Sequence, residues 1–94
     1  MPKAVWNGVV LADSDETVMV EGNHYFPPSS INTSFFEDSA ARSRCYWKGT
    51  ASYYNVVVDG KKYKDGAWYY PEPSQAASEI KDYVAFYGRV KIEV

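Results

Sequence analysis

The chain has one cysteine, Cys45, and one histidine, His24. No intrachain disulfide can form, and a structural zinc site has too few Cys and His donors. No apolar run approaches the about 20 residues that a membrane-spanning helix needs. Met1-Pro2-Lys3 leads straight into a strand-like run without the apolar stretch of a signal peptide. The expectation is a cytoplasmic protein with a reduced thiol and no membrane partner. Asn32-Thr33-Ser34 fits a glycosylation acceptor, which matters only on secretion. Basic residues are also few: ten Lys and Arg stand against twelve Asp and Glu, for a net charge of −2. A nonspecific nucleic-acid partner is therefore not expected. The one basic cluster, Lys61, Lys62 and Lys64, lies between Asp59 and Asp65 and reads as a solvated turn.

Aromatics are what the chain has in excess. They make up 17% of its 94 residues, nine of them tyrosines. One domain spanning 1–94 has a single modest core, burying roughly 60–70% of the extended-chain surface. Such a domain cannot hide every ring, so several are expected at a cleft or an interface. The rings concentrate in Cys45-Tyr46-Trp47-Lys48-Gly49-Thr50-Ala51-Ser52-Tyr53-Tyr54 and in Ala67-Trp68-Tyr69-Tyr70-Pro71-Glu72-Pro73.

The pattern predicts short strands. Lys3–Trp6 and Val9–Ala12 flank Asn7-Gly8, a pair suited to a type I′ hairpin turn. Thr17–Val20 is a third strand, ending at Glu21-Gly22-Asn23, and His24–Phe26 a short extended piece stopped by Pro27-Pro28. Ser29–Asn32 has room for one helical turn, and Ser39–Arg44 is polar and exposed. Cys45–Val58 is a central strand or strand pair with neither face purely polar, so both sides are expected to be covered. Asp59-Gly60 marks a second hairpin turn, and Lys64-Asp65-Gly66 a turn before the strand Ala67–Tyr70. Ser74 suits the N-cap of a short helix over Gln75–Asp82. Tyr83–Tyr87 and Val90–Val94 close the chain as strands.

Several runs together resemble the domain-of-unknown-function family DUF427. They are Glu21–Pro27, Cys45–Gly49, Tyr53-Tyr54, Ala67–Pro73 and Ile80–Tyr87, which between them span most of the chain. The resemblance implies a short, mainly β domain of coiled antiparallel sheets, similar to the β-tent group, with one or two short helices. β-tent relatives often carry zinc between two Cys-x-x-Cys pairs, and this chain lacks those pairs, so no zinc site and no cofactor are expected. The family is also filed under a nucleotidyltransferase label. Asp13-Ser14-Asp15 supplies carboxylates but not the Gly-Ser-rich lead that such enzymes need.

The residues themselves suggest three functions. The first is small-molecule binding in an aromatic-lined pocket. Trp47 and Trp68 would form its walls, Lys48 and His24 would orient an anionic ligand, and Glu21, Tyr53, Tyr54 and Tyr69 would add polar contacts. The second is an enzyme using Cys45 as nucleophile or His24 as base. An inert buried thiol and a hydrogen-bonded loop imidazole are the plainer readings of those two residues. The third is an interaction module, including a homodimer, in which the tyrosines meet a partner. In that case Val90–Val94 is an edge strand whose Lys91 and Glu93 set the register with a second copy.

Overall fold

The computed structural model describes residues 1–94. Nine strands follow one another: β1 (Lys3–Trp6), β2 (Val9–Asp13), β3 (Val18–Val20), β4 (Asn23–Tyr25), β5 (Phe36–Cys45), β6 (Gly49–Val58), β7 (Lys61–Tyr69), β8 (Val84–Phe86) and β9 (Lys91–Glu93). Three short 3₁₀ turns, Pro28–Ser30, Thr33–Phe35 and Gln75–Ile80, are the helical content. No helix is long and apolar enough to cross a membrane. The chain is mainly β, as expected.

The strands form an antiparallel sheet in the order β5-β6-β7-β8, a second in the order β2-β1-β9, and the hairpin β3-β4. Phe26 and Val84 exchange both backbone hydrogen bonds at 2.8 Å, which lays the end of the β3-β4 hairpin beside β8. Asn7-Gly8, Glu21-Gly22 and Asp59-Gly60 each have two successive positive φ angles, the geometry that matches hairpin twist. Asn7-Gly8 and Asp59-Gly60 behave as the sequence suggested. Glu21-Gly22, read as a strand end, is instead the tight turn of the β3-β4 hairpin.

Two other segments depart from the sequence reading. Phe36–Cys45 is one long edge strand, so the polar Ser39–Arg44 lies within a strand and Cys45 ends it, and the central strand expected from Cys45 begins at Gly49. The edge strand's pairing with β6 skips over Ala40 and Ala41, and this bulge breaks the alternation that would have revealed a strand. Lys64-Asp65-Gly66 lies inside β7 and does not end a strand. There Asn55 of β6 faces three residues, and its side-chain oxygen accepts the Asp65 N–H at 2.9 Å. Only glycine fits at 66, because a Cβ would fall 2.7 Å from the Tyr63 ring.

The β5–β8 sheet is covered on both faces. One face packs with the β2-β1-β9 sheet around Ala4, Leu11, Phe26, Val56, Val58, Val84 and Phe86. The other packs around Tyr25, Ala51, Trp68, Tyr70, Ala77, Ile80 and Ala85, beneath the β3-β4 hairpin and the 75–80 turn. Residues alternate between the two clusters along each strand, so Tyr54 and Tyr69 lean on the first while Tyr53 and Trp68 belong to the second.

Candidate functional site

The most elaborate polar arrangement lies where three turns meet at the edge of the second cluster. One is the β3-β4 turn with Glu21. The second is the β5-β6 connection Tyr46-Trp47-Lys48, and the third is the chain entering the 75–80 turn. Gly49 makes their close approach possible. Its φ is +114°, and a Cβ there would stand 3.2 Å from the Glu72 carbonyl. Ser74 clamps the connection by donating its N–H to the Lys48 carbonyl at 2.9 Å and its hydroxyl to the Trp47 carbonyl at 2.5 Å. Its hydroxyl is thereby committed to Trp47 and does not cap the helical turn that follows.

This clamp holds Lys48 inward. The residue is 6% exposed, yet its ammonium donates to Glu21 Oε1. Trp47 Nε1–H donates to Glu21 Oε2 at 3.4 Å, so both donors meet on one carboxylate. The ammonium also sits over two rings, 5.3 Å from the centre of Trp47 and 5.6 Å from that of Tyr70. Burial alone would lower the Lys48 pKa. The hydrogen bond to Glu21, with help from Tyr25, Tyr70 and Cys45, outweighs it and holds the pKa above the ordinary value. Glu21 is held below the usual carboxylate range, mainly by the Lys48 hydrogen bond. Burial raises the Tyr70 phenol, and the nearby ammonium opposes that rise.

The eight sequence-derived site residues divide between the two faces of the sheet. Glu21, Trp47 and Lys48 form the constellation just described. Trp68 and Tyr53 share its cluster, and Trp47 packs against that cluster. Trp68 donates to the Tyr25 hydroxyl at 3.1 Å and packs on Tyr87 with 4.5 Å between ring centres. Tyr53 bonds Ser43 at 2.7 Å and lies parallel to Tyr87. Tyr54 and Tyr69 stack on each other at 4.6 Å on the opposite face.

His24 also stands apart from the Lys48 constellation: its Nδ1 is 2.9 Å from the Thr17 hydroxyl, and its ring leans on Phe26. Cys45 ends β5, half-buried against the second cluster, and no hydrogen bond joins it to His24. No cavity opens between Trp47 and Trp68. The one hollow on the molecule, about 330 Å³, is shallow and lined by Met1, Lys3, Glu93 and Val94.

Residues 2–94 match the family model described as a domain of unknown function, DUF427. The chain belongs to the DUF427 family. No curated protein matches it in sequence. The two aromatic-rich runs, Cys45–Tyr54 and Ala67–Pro73, both contribute to the constellation in this DUF427 domain: Trp47 and Lys48 from the first, Tyr70 from the second. Two partners escaped the sequence reading. Strand alternation puts Tyr70 on the Trp68 face, so it was findable there in place of Tyr69. Its place in the sequence marks Ser74 only as a helix cap. Its bonds cross 27 and 26 positions of sequence, and no local pattern signals that.

Proposed function

We propose that the domain is a small-molecule-binding module whose recognition element is the Lys48 ammonium paired with the Trp47 indole N–H, and that its ligand carries a carboxylate- or phosphate-like group. The observation behind this reading is that both donors already converge on a carboxylate. Glu21 marks where an anion sits, and its side chain is 53% exposed on a hairpin turn, so an external anion can reach the position its carboxylate holds. The Trp47 and Tyr70 rings supply the apolar surface that a ligand site needs beside a few placed polar groups. Recognition would occur at the surface, with the ligand's anionic group taking the place of the Glu21 carboxylate.

The test removes the internal carboxylate. Glu21→Ala leaves a buried ammonium without its counter-charge, whereas Lys48→Met leaves only a solvated glutamate. The first should therefore lower the melting temperature more than the second. Acetate should then restore the Glu21→Ala protein saturably, and do nothing for Glu21→Ala/Lys48→Met. If acetate and chloride act alike at equal ionic strength, the site has no anion-recognising geometry and the reading fails.

An interaction-module reading has its own support. Tyr46 is 97% exposed at the β5-β6 connection and Tyr87 is 43% exposed beside Tyr53, and phenols left open in this way favour protein partners. Tyr46→Ser with Tyr87→Ser should abolish such binding and leave acetate rescue intact.

A further inference from the structure

We infer that β9 is a self-recognition edge, where two copies of the chain pair antiparallel about Ile92 and join their three-stranded sheets into one of six strands. The strands at sheet edges are not equally open. The outer side of β2 is occupied by the Ala12–Ile31 bridge and by the Asn32 N–H, which bonds the Leu11 carbonyl at 2.8 Å. β5 is interrupted by its Ala40-Ala41 bulge and carries Glu37, Asp38, Arg42 and Arg44, devices that discourage pairing. β3 is open, but its one exposed residue, Met19, is uncharged and selects no register. β9 bonds β1 on one side, has no backbone partner on the other, and contains no bulge.

Its three residues are self-complementary. Lys91 and Glu93 are exposed, while Ile92 lies between them, half-buried against the first cluster. In an antiparallel pair centred on Ile92, Lys91 of each copy faces Glu93 of the other, twice by symmetry. Moving the centre one residue either way places Lys91 opposite Lys91 or Glu93 opposite Glu93, which like-charge repulsion disfavours. Within one chain Glu93 already pairs in register with Lys3. The dimer therefore extends a cross-strand row of alternating sign: Lys3, Glu93, then Lys91 of the second copy. The contact is short and belongs with small, reversible interfaces, under about 1,200 Å² in total. The accessible surface of one chain, 5506 Å², is what a compact monomer of this mass leaves.

Sedimentation equilibrium of the full chain at low salt, from micromolar to millimolar protein, tests this. The wild type should shift from monomer towards dimer, and 0.5 M NaCl should reverse the shift. Lys91→Glu alone and Glu93→Lys alone should each stay monomeric, because every cross-copy pair becomes like-charged. An equimolar mixture of the two should form a heterodimer, since both pairs are then opposite in sign. Circular dichroism checks that these exposed substitutions leave the fold intact, and Lys91→Glu, which keeps the Lys3–Glu93 pair, suffices if Glu93→Lys does not fold. A wild type that remains monomeric throughout, a Lys91→Glu protein that associates like wild type, or a folded mixture that stays monomeric would overturn the inference.

Discussion

The two faces of the β5–β8 sheet solve the same packing problem with different chemistry. Against the β2-β1-β9 sheet the centre is hydrocarbon: Leu11, Phe26, Val56, Val58 and Val84 are at most 1% exposed. Under the β3-β4 hairpin the large groups, Ile80 apart, are tyrosines and tryptophans whose polar tips need partners. Trp68 finds Tyr25, Trp47 finds Glu21, and Tyr53 finds Ser43. A hydrocarbon core is sensitive to lost volume. An aromatic core with polar tips is sensitive also to lost hydrogen bonds, and its rim can exchange an internal partner for an external one.

The largest expected effect separates the two on this basis. Phe26 is fully buried and meets Phe86 edge-on with 5.8 Å between ring centres. Phe26→Ala should cost about 3–5 kcal/mol, out of about 5–14 kcal/mol for a domain of this length. Trp68→Phe keeps most of the ring but strips the donor from the buried Tyr25 hydroxyl. It should cost about 1–3 kcal/mol for the orphaned oxygen, plus a packing loss. Trp68→Phe combined with Tyr25→Phe should then recover part of that cost, and urea denaturation of the three proteins measures it. No recovery in the double variant would mean that the second face behaves as hydrocarbon too, and the contrast would disappear.

A smaller effect sharpens the comparison through pH, since only the second face contains a buried ammonium, paired with an exposed carboxylate. The Glu21 pKa is lowered in the fold. Its contribution is therefore present above the ordinary carboxylate pKa of about 4.5 and is lost as acid takes the pH down through the folded value. The Lys48 pKa is raised. Its contribution is present below the ordinary value of about 10.5 and is lost as the pH rises through the folded one. Glu21→Gln should flatten the acid limb of a plot of melting temperature against pH between about 5 and 3. Phe26→Leu should lower the whole curve without changing its shape.

The sequence revealed these faces unequally, for physical reasons. The hairpins at Asn7-Gly8 and Asp59-Gly60 were legible because turn chemistry is local. The coverage of both sides of β6 was legible because Thr50 to Asp59 mix apolar and polar residues on each face. The site was legible only in part. Tyr53-Tyr54 and Trp68-Tyr69 looked like clusters, yet neighbours on a strand point to opposite faces and cannot share one pocket. Grouping by alternation instead joins Tyr53 with Ala51, and Trp68 with Tyr70, as the fold does. Phe36–Cys45 was hidden by its bulge and its charges, the features that discourage pairing at a long edge strand. The pairing of Glu21 with Lys48 spans 27 positions and depends on how the hairpins dock, which no window of sequence contains.

The subtlest expected difference lies in two phenols, one on each face. Tyr54 and Tyr87 are both pushed up to about 12, for different reasons. Burial dominates at Tyr54, with its neighbour Tyr69 adding to it. At Tyr87 the largest cause is the hydrogen bond with Tyr53, ahead of burial. Removing the neighbour's hydroxyl should therefore matter more on the second face. Tyr53→Phe should lower the Tyr87 pKa towards that of an ordinary phenol, whereas Tyr69→Phe should move Tyr54 less, because its burial persists. In the fold both groups favour the neutral phenol, so each contributes stability that is complete below about pH 10 and is lost as the pH climbs towards 12. Ultraviolet titration of tyrosinate in the two variants compares the shifts directly. Equal shifts in both would show that the two faces hold their phenols by the same means, and the distinction between a dry face and a hydrogen-bonded one would not extend to the rim.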